Sequence, residues 1–318
     1  MVASPGDAPE EALTETAFGA LLIILAGALA RRFGLIERDQ GPVLVRIVIH
    51  LALPPLIFLI LVRADLDPVL LLVPVAGLAI HAAMLALSWA AVRVWGVERP
   101  RAGALILATA VGNTGFFGLP LIAASGDGFS LPAAVMYDSL ATGIITWTST
   151  VAVASHYGRP QGAAPDGRWA ELGRSLILPP MWALVAGLIV NLAGVHDLPQ
   201  LAERPLELMA GAVLPLTMIY AGLMIDLRDL PRLWGEVAFS VAMRLGIATV
   251  VGYGVAVALG FDDDVFHTVV IMAAMPTAMM SLVIGARSGL RADVLAAAVV
   301  VTTLLCTLTL PAWRAVLT

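Results

Sequence analysis

Apolar residues fill this chain in runs of about twenty, and short polar stretches interrupt the runs at nearly regular spacing. A hydrocarbon core about 30 Å thick takes roughly 20 helical residues to cross. On that measure the pattern predicts spans over 15–35, 42–62, 69–95, 101–124 and 131–156, then 176–195, 204–225, 233–260, 264–286 and 291–313. One long polar stretch, Tyr157 to Arg174, separates five spans from five, and its Gly, Pro and charges mark a linker. The predicted organisation is a five-helix repeat over 14–157, a cytoplasmic linker over 158–175 and a second five-helix repeat over 176–318. Because five is odd, a tandem duplication inserts its second half upside down. The expected fold is an all-α integral membrane protein of ten transmembrane helices in two inverted repeats.

Two spans are not uniform. Gly112–Leu121, GNTGFFGLPL, places three glycines, a proline and the polar pair Asn113-Thr114 where span 4 should run unbroken. Glycine weakens a helix, and proline removes a donor and crowds the preceding turn. Span 9 carries AMPTAMMSLV, Ala274–Val283, at similar depth, and Pro54 and Pro215 interrupt spans 2 and 7. The offsets, 161 positions for Pro54 to Pro215 and 156 for Pro120 to Pro276, nearly agree, as duplicated halves require. Open backbone in hydrocarbon survives only beside protein or a water-filled cavity. Paired interruptions in two halves are a pointer to a transporter binding site.

Composition sharpens the class. The chain has 318 residues, 60% hydrophobic and 13% charged, with a mean hydropathy of +0.93, far from a soluble domain. Residues 1–13 are acidic and lack the basic leader of a signal peptide, so the first apolar run is expected to be retained as a span. Thirteen arginines fall in loops on one side of the predicted spans and three, Arg63, Arg204 and Arg314, on the other. The positive-inside rule then puts both termini on the non-cytoplasmic side of the cell membrane. All 18 basic residues are arginine, which reads as genome composition. The single cysteine, Cys306, excludes an intramolecular disulfide.

Several blocks resemble the auxin efflux carrier family, whose members include plant auxin exporters and bacterial permeases. They are GALARRFGLIERDQGPVLVRIVIHLALPPLIF, GNTGFFGLPLIAASG, ILPPMWALVAGLIVNLAGV with AVLPLTMIYAGLMI, and AAMPTAMMSLVIGARSGLRADVLAAAVVVTTL. The resemblance runs from about residue 14 to the end. It implies a fold like that of the bile acid/sodium symporters, with helices 4 and 9 broken and crossing near the midplane. It also implies a scaffold of helices 1, 2, 6 and 7 that dimerises, and a moving unit of the other six in an elevator-like cycle. The substrate-contacting asparagine of the first crossover maps onto Asn113 and the proline of the second onto Pro276. Span 9 offers no asparagine or charge at its break, only Thr277 and Ser281.

A broken helix frees N–H groups and a partial positive charge at the start of its second half. The candidate substrate-binding residues are therefore Asn113, Thr114, Gly115, Pro120, Pro276, Thr277 and Ser281, suited to an organic anion. Phe116, Phe117, Met279 and Met280 would line its apolar side. Asp138, in span 5, reads as a proton relay, or else as a helix-end carboxylate paired with Thr142 or solvated. Arg244 in span 8 reads as its partner, as an anchor for the anion, or as a structural group on backbone carbonyls. His50, one turn before Pro54, reads as a candidate for proton coupling or as a residue that simply fills space. Glu207 and Arg46 read as interfacial. With no acid near either break, a sodium site is disfavoured against proton coupling or uncoupled transport.

Other chemistry is set aside. The chain has no Walker loop and no HExxH motif, and Tyr137-Asp138 lacks the second half of an intramembrane aspartyl protease dyad. No cofactor, metal or nucleic acid is expected, and the protein is not expected to be an enzyme. Partners are a small organic acid, the lipid bilayer and a second copy in a homodimer. A channel or receptor on the same scaffold is the alternative, but a channel wants polar residues along a continuous pore face, whereas polarity here collects at two breaks.

Overall fold

Proline and glycine punctuate an otherwise helix-forming chain, and the architecture follows that punctuation. The computed structural model describes residues 9–37, 40–126, 128–158, 179–225 and 230–317. Apart from Gly158, the predicted linker lies outside the described residues, as do Arg38, Arg159, Arg168, Arg174 and Arg228 of the charge pattern. Helix α1 is Pro9–Arg32, α2 is Gly41–Val62 and α3 is Pro68–Val94. Then come α4, Arg99–Ala110, and α5, Thr114–Ala124. Helix α6 runs continuously over 131–157, and α7 is Pro179–Leu192. Helices α8, Gln200–Met224, and α9, Trp234–Leu259, precede α10, Asp263–Ala273, α11, Met279–Arg287, and α12, Ala292–Leu317.

Helices α1, α2, α3, α8, α9 and α12 include apolar segments long enough to cross a membrane. Such helices satisfy their backbone internally, which hydrocarbon demands. The outer face of α1 exposes Phe18, Leu22, Leu25 and Leu29, and that of α7 exposes Trp182, Val185 and Ile189. Both stripes follow helical spacing and suit lipid or another apolar surface.

The prolines leave local signatures. Pro54 has no N–H for the His50 carbonyl, and α2 widens into a π-type turn over Val48–Ala52 just before it. Pro215 cannot reach the Gly211 carbonyl, and α8 loosens at Gly211 and Ala212. Further π-type turns occupy Tyr137–Thr142 and Thr146–Thr150 in α6, and Ala242–Ile247 in α9.

Packing brings distant segments together. Helix α1 lies along α8 and α7 along α2, each through a glycine. A methyl on Gly27 would sit 3.0 Å from the Ile219 Cα, and one on Gly187 would sit 2.9 Å from the Leu61 Cβ. The same two pairs are closed at a helix end. Arg31 donates to the carbonyls of Leu223 at 3.0 Å and Ile225 at 2.7 Å. Asn191 donates to those of Leu61, Val62 and Ala64 at 3.0, 3.1 and 2.7 Å. Both satisfy carbonyls that a helix C-terminus leaves unpaired.

Candidate functional site

The two interrupted spans meet at their interruptions. After α4 ends at Ala110 the chain is extended through Val111, and after α10 it is extended again before α11. Gly112 faces Thr277 in an isolated antiparallel bridge. Asn113 N–H donates to the Pro276 carbonyl at 2.7 Å, and Ala278 N–H donates to the Val111 carbonyl at 3.0 Å. This is the open pair type of an antiparallel ladder, where flanking residues make the bonds. Backbone groups released by one break are thus satisfied by the other. Side chains finish the accounting: Thr277 Oγ1 donates to the Ala108 carbonyl at 2.6 Å, and Thr302 Oγ1 accepts from Thr277 N–H at 3.0 Å.

Arg244 secures the crossing from behind. Its guanidinium donates to the carbonyls of Ala273 at 2.5 Å, Met275 at 2.7 Å and Thr109 at 3.4 Å, and the residue is 2% exposed. These carbonyls belong to the ends of both incoming half-helices, where the helix dipole favours a cation. Arg244 is thus bonded to backbone carbonyls, as its structural reading describes. Its hydrogen bonds go to carbonyls and not to Asp138.

In front of the bridge lies a cavity of about 170 Å³. Asn113, Thr114 and Gly115 line one side, Asp138 and Thr142 another, and Phe116, Met279, Met280 and Trp147 supply apolar surface. Asn113 is 3% exposed and its Nδ2 has no protein partner, a buried donor at the cavity wall. Thr114 Oγ1 donates to Asp138 Oδ1 at 2.6 Å. A methyl on Gly115 would stand 2.9 Å from both Asp138 oxygens, so only glycine lets the carboxylate approach so near. The expectation that no acid stands near the breaks is therefore corrected. Asp138 is twenty-five positions from Asn113 in sequence, but α6 carries it to the crossover.

Other expected residues separate from the cavity. Pro120 opens the straight part of α5 in the core, and Pro276 contributes its backbone carbonyl to the crossing. Thr277 is spent on Ala108, while Ser281 is buried with an unpartnered hydroxyl and does not line the cavity. Phe117 turns into the hydrophobic core, leaving Phe116 at the site. His50 is exposed on α2, bonded to the Arg46 carbonyl at 2.9 Å, while its neighbour Ile49 and then Leu53 face the cavity. Sequence reasoning overlooked Thr146 and Trp147, and named Thr142 only as a partner for Asp138. The hydroxyl-rich run TWTST inside an apolar span was the available signal.

A second, open crevice of about 1110 Å³ lies along the same helix, where Leu56, Ile60 and Arg63 of α2 face Leu131, Glu207 and Asp264. Arg63 binds Glu203 and, at 2.9 Å, Glu207. Hydrogen bonds that it donates to the two glutamates raise the pKa of the Arg63 guanidinium above its ordinary value. Glu207 thus lines this crevice beside Arg63.

A family model described as membrane transport protein matches residues 13–160 and 170–314. The chain belongs to the membrane transport protein family. The resemblance to auxin efflux carriers pointed to this family. An uncharacterized transporter of Methanothermobacter thermautotrophicus is 30% identical over 306 residues, covering 96% of this chain and 98% of that protein. One from Methanocaldococcus jannaschii is 24% identical over 306 residues, covering 92% and 95%. A Rhizobium meliloti protein named "Putative malonate transporter" is 31% identical over 105 residues, 32% of each chain. For this membrane transport family member, these names indicate a transporter rather than an enzyme, and its apolar helices indicate a multi-pass membrane protein.

Proposed function

We propose that this protein is a secondary transporter that binds a small organic anion at the crossover of its two broken spans. The observation that carries the reading is the Gly112–Thr277 bridge with a cavity directly against it, walled by an unpartnered Asn113 amide. Irregular backbone at membrane depth is tolerated where it lines such a cavity, and transporters build substrate sites there. The first residues of α5 and α11 line the cavity, where a helix start favours negative charge, and Arg244 adds a full positive charge behind Gly112. The partial relative whose name cites malonate fits the same substrate class.

The proposed architecture is ten membrane-crossing segments in two inverted halves, the interrupted pairs α4–α5 and α10–α11 each counting as one. The paired closures support it. Arg31 and Asn191 stand 160 positions apart, and their target carbonyls Ile225 and Ala64 stand 161 apart. The antiparallel sense of the bridge is what an inverted second half requires. In this reading α1, α2, α7 and α8 are the scaffold, offering the dimer surface, and the remaining helices move against it as an elevator. One face of α2, from Ile49 through Leu53, Leu56 and Ile60 to Arg63, borders both the cavity and the outer crevice, as a rail for such movement would. The arginine distribution supports placing both termini outside the cytoplasm.

Counterflow in proteoliposomes with pyruvate, malonate and indole-3-acetate tests the function. Saturable exchange of one of these acids, lost with Asn113→Ala, is the expected result; single-channel currents in place of exchange would sink the carrier.

A further inference from the structure

Two ionisable side chains of opposite sign stand on either side of the 112–115 loop. Arg244 lies behind it, where a methyl on Gly112 would meet Nη2 at 2.6 Å. Asp138 lies in front, beside Thr114 and Gly115 and partly exposed to the cavity. Three residues of extended chain reach about 10 Å at most, so both charges act on whatever occupies the cavity. Among the described residues, no basic side chain lines the cavity itself.

The groups facing Asp138 from neighbouring elements do not offset it. Helix α3 contributes His81, which packs against the Tyr137 ring at 6.0 Å between centroids and bonds the Gly77 carbonyl. Helix α5 and helix α7 bring no titratable side chain among their described residues, and α11 carries only Arg287, at its far end. Arg99 of α4 donates to the His156 carbonyl at the residue-157 end of α6, Arg101 pairs with Glu236 of α9 at 2.6 Å, and the Asp264 carbonyl of α10 accepts from Ser130 N–H beside the residue-131 end. His50 of α2 faces away from the cavity.

We propose that this site carries a monovalent organic anion together with one proton, the proton residing on Asp138 and the anion held between Asp138, Asn113 and the field of Arg244. The proposal rests on the crossover being the anion site. Its logic is charge balance in a medium that tolerates little net charge. Empty, the site holds one positive guanidinium and one carboxylate and is neutral. An anion added to an ionised Asp138 leaves the site net negative, with two carboxylates in about 170 Å³, and like charges that close do not both stay ionised. A proton added alone leaves it net positive. Only anion and proton together restore neutrality. Protonation also turns Asp138 from an acceptor into a donor, so that its O–H and the free Asn113 amide both point hydrogens at the anion. Proton and anion therefore enter from one side and leave on the other in a one-to-one ratio, and no net charge crosses.

The test uses the purified full chain with pyruvate and indole-3-acetate, both monoanions throughout the neutral range. Binding to the wild type, read by ligand-induced thermal shift, should weaken by up to about tenfold per unit of rising pH, the limit for one linked proton. Asp138→Asn should flatten that slope. In proteoliposomes, uptake above a protein-free control should follow an inside-alkaline pH gradient and ignore a valinomycin-imposed potential. Wild-type binding that is flat with pH, or uptake driven by potential, overturns the proposal while leaving the anion site intact. Should Asp138→Asn not fold, the wild-type slope and the response to potential decide by themselves. Counterflow confined to malonate overturns the one-charge balance. Absence of binding and counterflow for all three acids refutes the anion site and the proposal together.

Discussion

Asn113 N–H donates to the Pro276 carbonyl at 2.7 Å, so the residue whose side chain borders the cavity is held by the break in the other half of the chain. The two interruptions are one structural unit. Neither stretch has a complete set of backbone partners without the other, and a disturbance of either side of the bridge reaches the cavity wall.

Gly112→Ala tests how tight that unit is. The added methyl would lie 2.6 Å from Arg244 Nη2, and the fully buried guanidinium is fixed by three carbonyls. Overpacking of this kind costs about 1–3 kcal/mol. A lower unfolding temperature in detergent, together with loss of anion binding, is expected; an unchanged midpoint would mean the guanidinium yields freely.

Arg244→Met separates bracing from charge. Removing the guanidinium leaves the Ala273 and Met275 carbonyls unpaired in the core, at about 1–3 kcal/mol for each stranded group. Lysine keeps the charge but is a single point, without the planar fork that spans several carbonyls. The expected order of thermal stability is wild type, then Arg244→Lys, then Arg244→Met.

Asn191 offers a sharper chemical contrast. Its Nδ2 serves three carbonyls at the end of α2. Asn191→Leu removes the donor and should cost about 1–3 kcal/mol. Asn191→Asp replaces it with an acceptor-only group facing three acceptors, and should be the worse of the two despite its closer shape. Thermal unfolding of both variants checks the order.

Gly27 and Gly187 should behave as a matched pair. Valine at Gly27 would press on the Ile219 backbone, and valine at Gly187 on Leu61 and the Phe58 carbonyl. Each should loosen one helix contact, α1 from α8 or α7 from α2, by a similar loss of about 1–3 kcal/mol. If only one of the two destabilised, the equivalence of the halves would fail at the level of packing.

Much of the fold was legible along the chain. Hydrophobic run length located α1, α2, α3, α8, α9 and α12 to within a few residues, because a bilayer-length apolar helix is a one-dimensional signal. The interruption at Gly112–Leu121 was equally visible, since glycine and proline act on their own backbone. Its partner at Ala274–Val283 was found through its proline, although its polarity was weak. Its contribution in the structure is mostly backbone, in the Pro276 carbonyl and the Ala278 N–H, which residue type does not advertise.

What the sequence determined by itself was the class of protein, the position of its spans and the place where two of them break, since each depends on local composition and spacing. Tertiary structure alone decided which side chains share the cavity. Asp138 comes to Thr114 because α6 packs beside the crossing, and Arg244 comes to Gly112 because α9 packs behind it. His50, on an unbroken helix one turn before a proline, turns outward instead. The charge of a residue is written in its letter, but the neighbour that gives the charge its use is set by helix rotation and contact between segments far apart in the chain.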